Sequence, residues 1–209
     1  MIDNRREYYL EGTIHAAGTS FDWLRDNLGV LAKRETIDSA IRRSRQRLWM
    51  LPALGGLGAP RWDYKTETTF YGLNSSTTKS DLVRATAEGL CMLVADVAGA
   101  MAASGFPIER ARVSGGLSRA DALMALQAEC LGVQLERHVD VEATALGAAV
   151  LAARSAGVPD PAAMTRARVE KKFAPRRKES DRLSRRDQWR IFVEEIQRLG
   201  QKLTVGGKP

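Results

Sequence analysis

The chain has 209 residues, 44% hydrophobic and 27% charged, which supplies one sizeable core and suits a single domain. No run approaches the roughly 20 apolar residues of a membrane span, and the N-terminus MIDNRREYY is charged where a signal peptide is apolar, so the sequence reads as cytoplasmic with no membrane partner. The net charge of +7 is uneven: residues 166–209 hold 14 Lys and Arg against 6 Asp and Glu, and the near-neutral remainder argues against nucleic acid as a partner.

In chain order, EYYLEGTI (7–14) is rich in aromatic and β-branched residues and predicts a strand. It leads through a turn at Ala17-Gly18-Thr19 into SFDWLRDNL, which places Phe21, Leu24 and Leu28 on one helical face. Thr19 is the expected N-cap, Asp22 stands three residues on, and Gly29 is the stop. TIDSAIRRSRQR predicts a short cationic surface helix, and LWMLPALGGLGAPRWD a strand entering a Gly/Pro-rich loop with Trp62 as its packing anchor. The spacing of Val83, Leu90, Leu93, Val94, Val97 and Met101 predicts the longest helix, between Thr77 and Ser104.

RARVSGG predicts a short strand ending on Gly115 and Gly116, after which Ser118 caps a helix with Asp121 in the reciprocal position. VQLER is the next strand, and ATALGAAVLAARSAG a small-residue helix closed by Gly157 and Pro159. Alternating strands and helices indicate an α/β layered domain. The chain divides into this domain at 1–160 and, over 161–209, a basic connector with an amphipathic helix bearing Trp189, Phe192, Val193, Ile196 and Leu199. The mixed charges of that helix read as a solvated face.

Two consecutive glycines before a helix remove the Cβ atoms that keep a ligand from the backbone, and the helix start offers N–H donors and a positive dipole end. Gly115-Gly116 and the turn at Gly18 both have this form, which suits a phosphate or nucleotide. Cys91 and Cys130 lie in apolar segments and read as buried free thiols. His15 and His138 have no companions of a triad or a metal site, and Glu88 and Asp96 on the long helix read as a solvated pair, so the residues assign neither a catalytic group nor a metal ligand. On residues alone, the chain is a nucleotide- or anion-binding α/β domain.

Five segments go further: YYLEGTIHAAGTSFDWLRD, LPALGGLGAPRWD, FYGLNSSTTKSDLVRATAEGL, VSGGLSRADALMALQAECLG and VEATALGAAVLA. Their order and spacing resemble the C-terminal domain of the FGGY family of carbohydrate kinases, with GLGAP and TALGAA leaning toward its glycerol kinase branch. The resemblance implies a ribonuclease-H-like fold of the actin/hexokinase type, and phosphoryl transfer from ATP, with Mg2+, to a hydroxyl of a polyol or sugar. It implies that Gly18, Gly115 and Gly116 line the nucleotide site, with Asp22 and Ala120 near the ring or ribose. Asp22 stands where glycerol kinases often carry Gln, Ala120 where they often carry Asn, and Thr66-Glu67-Thr68 where Ala-Arg-Gly is common. The family's phosphate loop, polyol contacts, magnesium ligands and catalytic aspartate precede the matched segments, so no catalytic residue is assigned. The expected partner is an N-terminal kinase half, or a second copy through the uncovered cleft face. A non-catalytic module that binds nucleotide or protein, and a binder of acidic partners through the basic tail, remain open alternatives.

Overall fold

A computed structural model describes residue 6 and residues 8–32, 36–139, 142–161, 163 and 168–203. The architecture is built around one helix, α3 (Lys79–Ala103). A capping box starts it: the Asp81 N–H donates to Thr78 Oγ1, and the Thr78 N–H donates back to Asp81 Oδ2. The other carboxylate oxygen, Oδ1, accepts from Ser44 Oγ, the Arg45 N–H and the Gln46 N–H at 2.8, 2.7 and 2.9 Å. One buried carboxylate thereby ties the helix start to the segment before strand β1 (Trp49–Leu51). Burial would raise the Asp81 carboxyl, but hydrogen bonds from Thr78, Gln46 and Ser44 outweigh it and hold the group well below the ordinary carboxylate range.

By length and composition α3 could cross a membrane, although Arg84, Glu88 and Asp96 interrupt its apolar run; its apolar stretch is 56% buried in the protein and forms the core. Val83, Ala87, Leu90, Cys91 and Ala95 pack in one cluster with residues from every layer. Gly89 sits at the closest crossing, where a Cβ would overlap the Met50 carbonyl oxygen of β1. Cys91 and Cys130 are buried free thiols, and burial pushes the Cys91 thiol up.

Helix α1 (Ala17–Asp26) buries Phe21 and Leu24 on α3, and α2 (Ile37–Arg43) buries Ala40 and Ile41 under a Thr36 cap. The cap of α1 is not Thr19 but Ala16, whose φ of 56° lies in the left-handed region. Gly18 is therefore the second residue of the helix rather than part of a turn before it. Strand β2 (Thr69–Tyr71) pairs antiparallel with β1. Strands β3 (Arg110–Val113) and β4 (Gln134–His138) pair in parallel across α4 (Asp121–Leu131), and β5 (Val169–Phe173) pairs antiparallel with β4.

The run at 8–14 forms no strand. Tyr8 and Tyr9 are exposed, and among the described residues no ladder receives its backbone; a strand persists only where a partner takes its N–H and C=O groups. Its fixed point is Thr13, whose carbonyl accepts the Ala59 N–H at 2.9 Å. The Gly/Pro loop is held by Asp63, which accepts from Lys65, Thr66 and Gln197, and not by Trp62, which is exposed.

Helix α5 (Ala143–Ser155) has no fully buried side chain; Leu146, Val150 and Ala153 are half-buried and the rest exposed. Helix α6 (Glu179–Lys202) does the opposite of the solvated tail expected from its charges. Trp189, Phe192 and Val193 join the main cluster, Trp189 Nε1 donates to Asp96, and Arg185 pairs with Glu88. Glu88 and Asp96 are thus anchors for α6, where the sequence reading had a solvated pair.

Candidate functional site

The glycine turn after β3 is the best-defined candidate. Gly115 has φ 85° and ψ 172°, a conformation that favours glycine, and opens a 3-10 turn over Gly116–Arg119. The turn leads to α4 through Ala120, which caps the helix by backbone alone. Ser118 is not the helix cap expected; its hydroxyl donates to the Gly115 carbonyl at 2.7 Å and closes the turn on itself. Asp121 is likewise released from a capping box.

Asp121 instead belongs to a clamp built on Arg137 of β4. The Arg137 guanidinium donates to the Ser118 carbonyl at 2.7 Å and to Asp121 at 2.9 Å, and pairs with Glu170 of β5 at 3.0 Å. Burial works against the Arg137 charge, yet the hydrogen bonds it donates to Glu170 and Asp121 raise its pKa above the ordinary value. Asp121 is lowered, first by its hydrogen bond to Lys171 and then by Arg137, with burial opposing. One buried cation thus fixes the far end of the glycine turn to the sheet. The sequence reading missed it because only the β3–β4–β5 pairing brings residues 118, 137 and 170 together.

Gly18, Phe21, Asp22 and Arg25 of α1, Ile37 of α2, and Ser114 to Leu117 line one pocket of about 520 Å³. Four of the five residues named from the sequence, Gly18, Asp22, Gly115 and Gly116, meet there; Ala120 does not line it and packs instead against the hydrophobic cluster. A Cβ added at Gly18, Gly115 or Gly116 would meet no protein atom within 4 Å. At Gly18 and Gly116, which lack the positive φ of Gly115, glycine therefore does not serve internal packing or backbone strain; it leaves the pocket wall bare. Arg25 and Ile37 were missed. Arg25 pairs with Asp22 at 3.2 Å, an i,i+3 spacing visible in the sequence, while Ile37 arrives only through the packing of α2.

The pocket offers backbone N–H groups at two helix beginnings, a guanidinium at Arg25, and apolar surface at Ile37 and Phe21. That combination suits an anionic ligand carrying a flat apolar group. Asp22 is the only carboxylate lining it among the described residues, and it is paired with Arg25. A second pocket of about 410 Å³, between Ile14, Val94, Ala111, Val113 and Met124, is mostly apolar.

Residues 2–156 match the model of the FGGY family of carbohydrate kinases, C-terminal domain. The glycerol kinase of Halorhodospira halophila is 38% identical over 185 residues, covering 87% of this chain and 36% of its own length. That of Geobacillus sp. is 41% identical over 159 residues, covering 75% of this chain and 32% of its own length. Among solved structures, Plasmodium falciparum glycerol kinase with ADP superposes with a TM-score of 0.81 at 25% identity, over 93% of this chain and 40% of that one. Xylulose kinase from Lactobacillus acidophilus, at TM-score 0.70, 23% identity, and coverage of 88% and 38%, shares the fold. The chain spans about a third of the length of the curated relatives it matches.

Proposed function

Because this chain belongs to the FGGY family of carbohydrate kinases, matching its C-terminal domain, we propose that it is the nucleotide-side part of a cytoplasmic, ATP-dependent polyol kinase of the glycerol kinase type. The observation that carries this reading is the bare glycine wall: Gly18, Gly115 and Gly116 face one pocket, and a Cβ at any of them would meet only open space. In this reading the Gly115–Leu117 backbone takes the phosphates, Arg25 adds positive charge, and Ile37 with Phe21 meets the base. Asp22 holds Arg25 in place and is available to a ribose hydroxyl. Ala120 has no part in this geometry; its place is behind the turn.

ATP supplies the phosphoryl group, and the chain's own residues orient it and exclude water from one side. Phosphoryl transfer depends on positioning and on charge stabilisation around the transferred group. With one paired carboxylate in the pocket, the magnesium ligands, the base for the accepting hydroxyl and the polyol contacts belong to the remaining part of the kinase. Two features support such a partner. Helix α5 is apolar and has no fully buried side chain, and among the described residues β3 is an edge strand of its sheet. Left uncovered, these faces drive self-association.

The basic tail favours this reading over binding of acidic partners. Arg185 is tied to Glu88, Arg186 to the Ala95 carbonyl, Arg190 to Glu194 and Arg198 to Glu195. The first two of these contacts dock α6 on α3, and the last two are spent within the helix itself. The test is calorimetric titration of the 209-residue chain with MgATP and MgADP, with Gly116→Asp as the variant that places a carboxylate in the pocket. Millimolar or tighter binding, abolished by Gly116→Asp, supports the assignment. Absence of binding at millimolar nucleotide, or binding indifferent to the substitution, overturns it. Phosphorylation of glycerol on adding an N-terminal kinase half tests the activity separately.

A further inference from the structure

Three features of the region between α3 and β3 call for one occupant. Strand β3 pairs with β4 on one side, and among the described residues no strand takes its other edge. That strand borders the apolar pocket of about 410 Å³, which half-buried Ala111 and Val113 line together with Leu90 and Val94 of α3 and Met124 of α4. Ile14 lines the same pocket, and it ends the run at 8–14, which has a strand's composition, no ladder, and two exposed tyrosines at its start.

Unpaired N–H and C=O groups along an edge are a template for a further strand, and an apolar cleft left open to water forgoes the stabilisation that covering it would bring. The run at 8–14 is not free to swing across and close the gap itself. The Thr13 carbonyl is held by the Ala59 N–H, and Gly12 lies so close over α3 that a Cβ there would overlap the Val97 side chain. A second copy of this chain fits the β3 edge poorly. Antiparallel pairing of two β3 strands sets same-face residues opposite one another, so the exposed Arg110 and Arg112 of one copy would meet those of the next. The carboxylate across the ladder from Arg112, Glu136, does not relieve this, because it pairs with Lys172 at 3.4 Å.

We propose that this slot receives an extended segment of the N-terminal kinase half, which adds to the open edge of β3 as a strand and covers the apolar pocket. Its side chains alternate, apolar toward α3 and polar on the face of Arg110 and Arg112. The inference rests on the kinase reading above: the chain spans about a third of the length of its curated relatives, and the remaining length supplies the strand. Ser114 and Leu117 line both this pocket and the glycine-lined one, so the added strand reaches the edge of the nucleotide site along β3.

Amide hydrogen exchange tests it on the 209-residue chain, alone and mixed with the N-terminal half of the Halorhodospira halophila relative, with size-exclusion chromatography to detect the complex. The edge-facing amides of Arg110–Val113 exchange fast in the free chain and slow by about tenfold or more in the complex. Ala111→Lys sets a charge at the pocket and weakens docking by about tenfold or more. The exchange measurement on the wild type needs no variant, so it decides the matter even where Ala111→Lys is unstable. A complex whose Arg110–Val113 amides exchange as in the free chain overturns the proposal, as does a folded Ala111→Lys chain that docks normally, or the absence of any complex. The nucleotide reading fails separately: Gly116→Asp, which spoils the glycine-lined pocket, docks like the wild type, and a wild type that docks through β3 but binds no MgATP upholds this surface while sinking that reading.

Discussion

Replacing Asp81 probes the joint that holds α3 to the segment in front of β1. Asp81→Ala removes the acceptor of five donors: Ser44 Oγ, the Arg45, Gln46 and Thr78 N–H groups, and Thr78 Oγ1. A hydrogen bond to a charged acceptor contributes about 1.5–3 kcal/mol, and an N-cap about 1 kcal/mol, though some stranded donors near exposed Arg45 regain water. The expected loss is about 3–5 kcal/mol, at the large end for a single substitution. Asp81→Asn keeps the shape but turns an NH2 group toward donors, and is expected to cost about 2–3 kcal/mol.

Urea unfolding followed by tryptophan fluorescence measures both variants, and pH supplies the sharper check. The folded carboxyl is depressed below its unfolded value of about 3.9, so its contribution is full above about pH 5 and is lost as pH falls through 3.9 toward the folded value. The gap between wild type and Asp81→Asn should therefore narrow below about pH 4. A cost under about 1 kcal/mol for Asp81→Ala, or a gap that stays constant from pH 7 to pH 3, refutes the assignment of this carboxylate as the joint.

Arg137→Gln should destabilise the chain by about 1–3 kcal/mol, because the Ser118 carbonyl, Asp121 and Glu170 lose their buried donor while the two carboxylates keep access to water and Asp121 keeps Lys171; MgATP affinity should fall several-fold as the Ser118 end of the glycine turn loosens, read by calorimetry on whatever fraction remains folded. Gly89→Ala should cost about 3 kcal/mol or more in urea unfolding despite the usual preference of helices for alanine, since the added methyl meets the Met50 carbonyl; a neutral or stabilising result would show that α3 and β1 can part. The isolated chain should self-associate in size-exclusion chromatography with light scattering, and Leu151→Lys on the bare face of α5 should shift it toward monomer; a monodisperse wild type would count against an uncovered interface.

Local patterns carried much of this fold. The helical period of α3, the glycine stops and the segments resembling the family were all legible, and so were the pocket glycines at 18, 115 and 116. What was lost depended on partners distant in sequence. EYYLEGTI has a strand's composition, but strand formation needs a ladder, and composition cannot supply one. Thr19 and Ser118 have the right chemistry for helix caps, yet Ala16 takes the left-handed cap position and Ser118 closes its own turn. The tail misled most: its alternating charges look solvated, whereas Trp189 finds Asp96 and Arg185 finds Glu88 more than 90 residues away. Arg137 has no local signature, because it gathers partners from separate elements.

The crossing at Gly89 has a mechanical consequence. Side chains at a helix contact can rotate and let one surface slip over another. At Gly89 helix backbone lies against strand backbone, with nothing between to act as a bearing. Helix and strand are keyed together there, so any closing movement on a ligand carries α3 and β1 as one rigid lever, and its pivot must lie outside them.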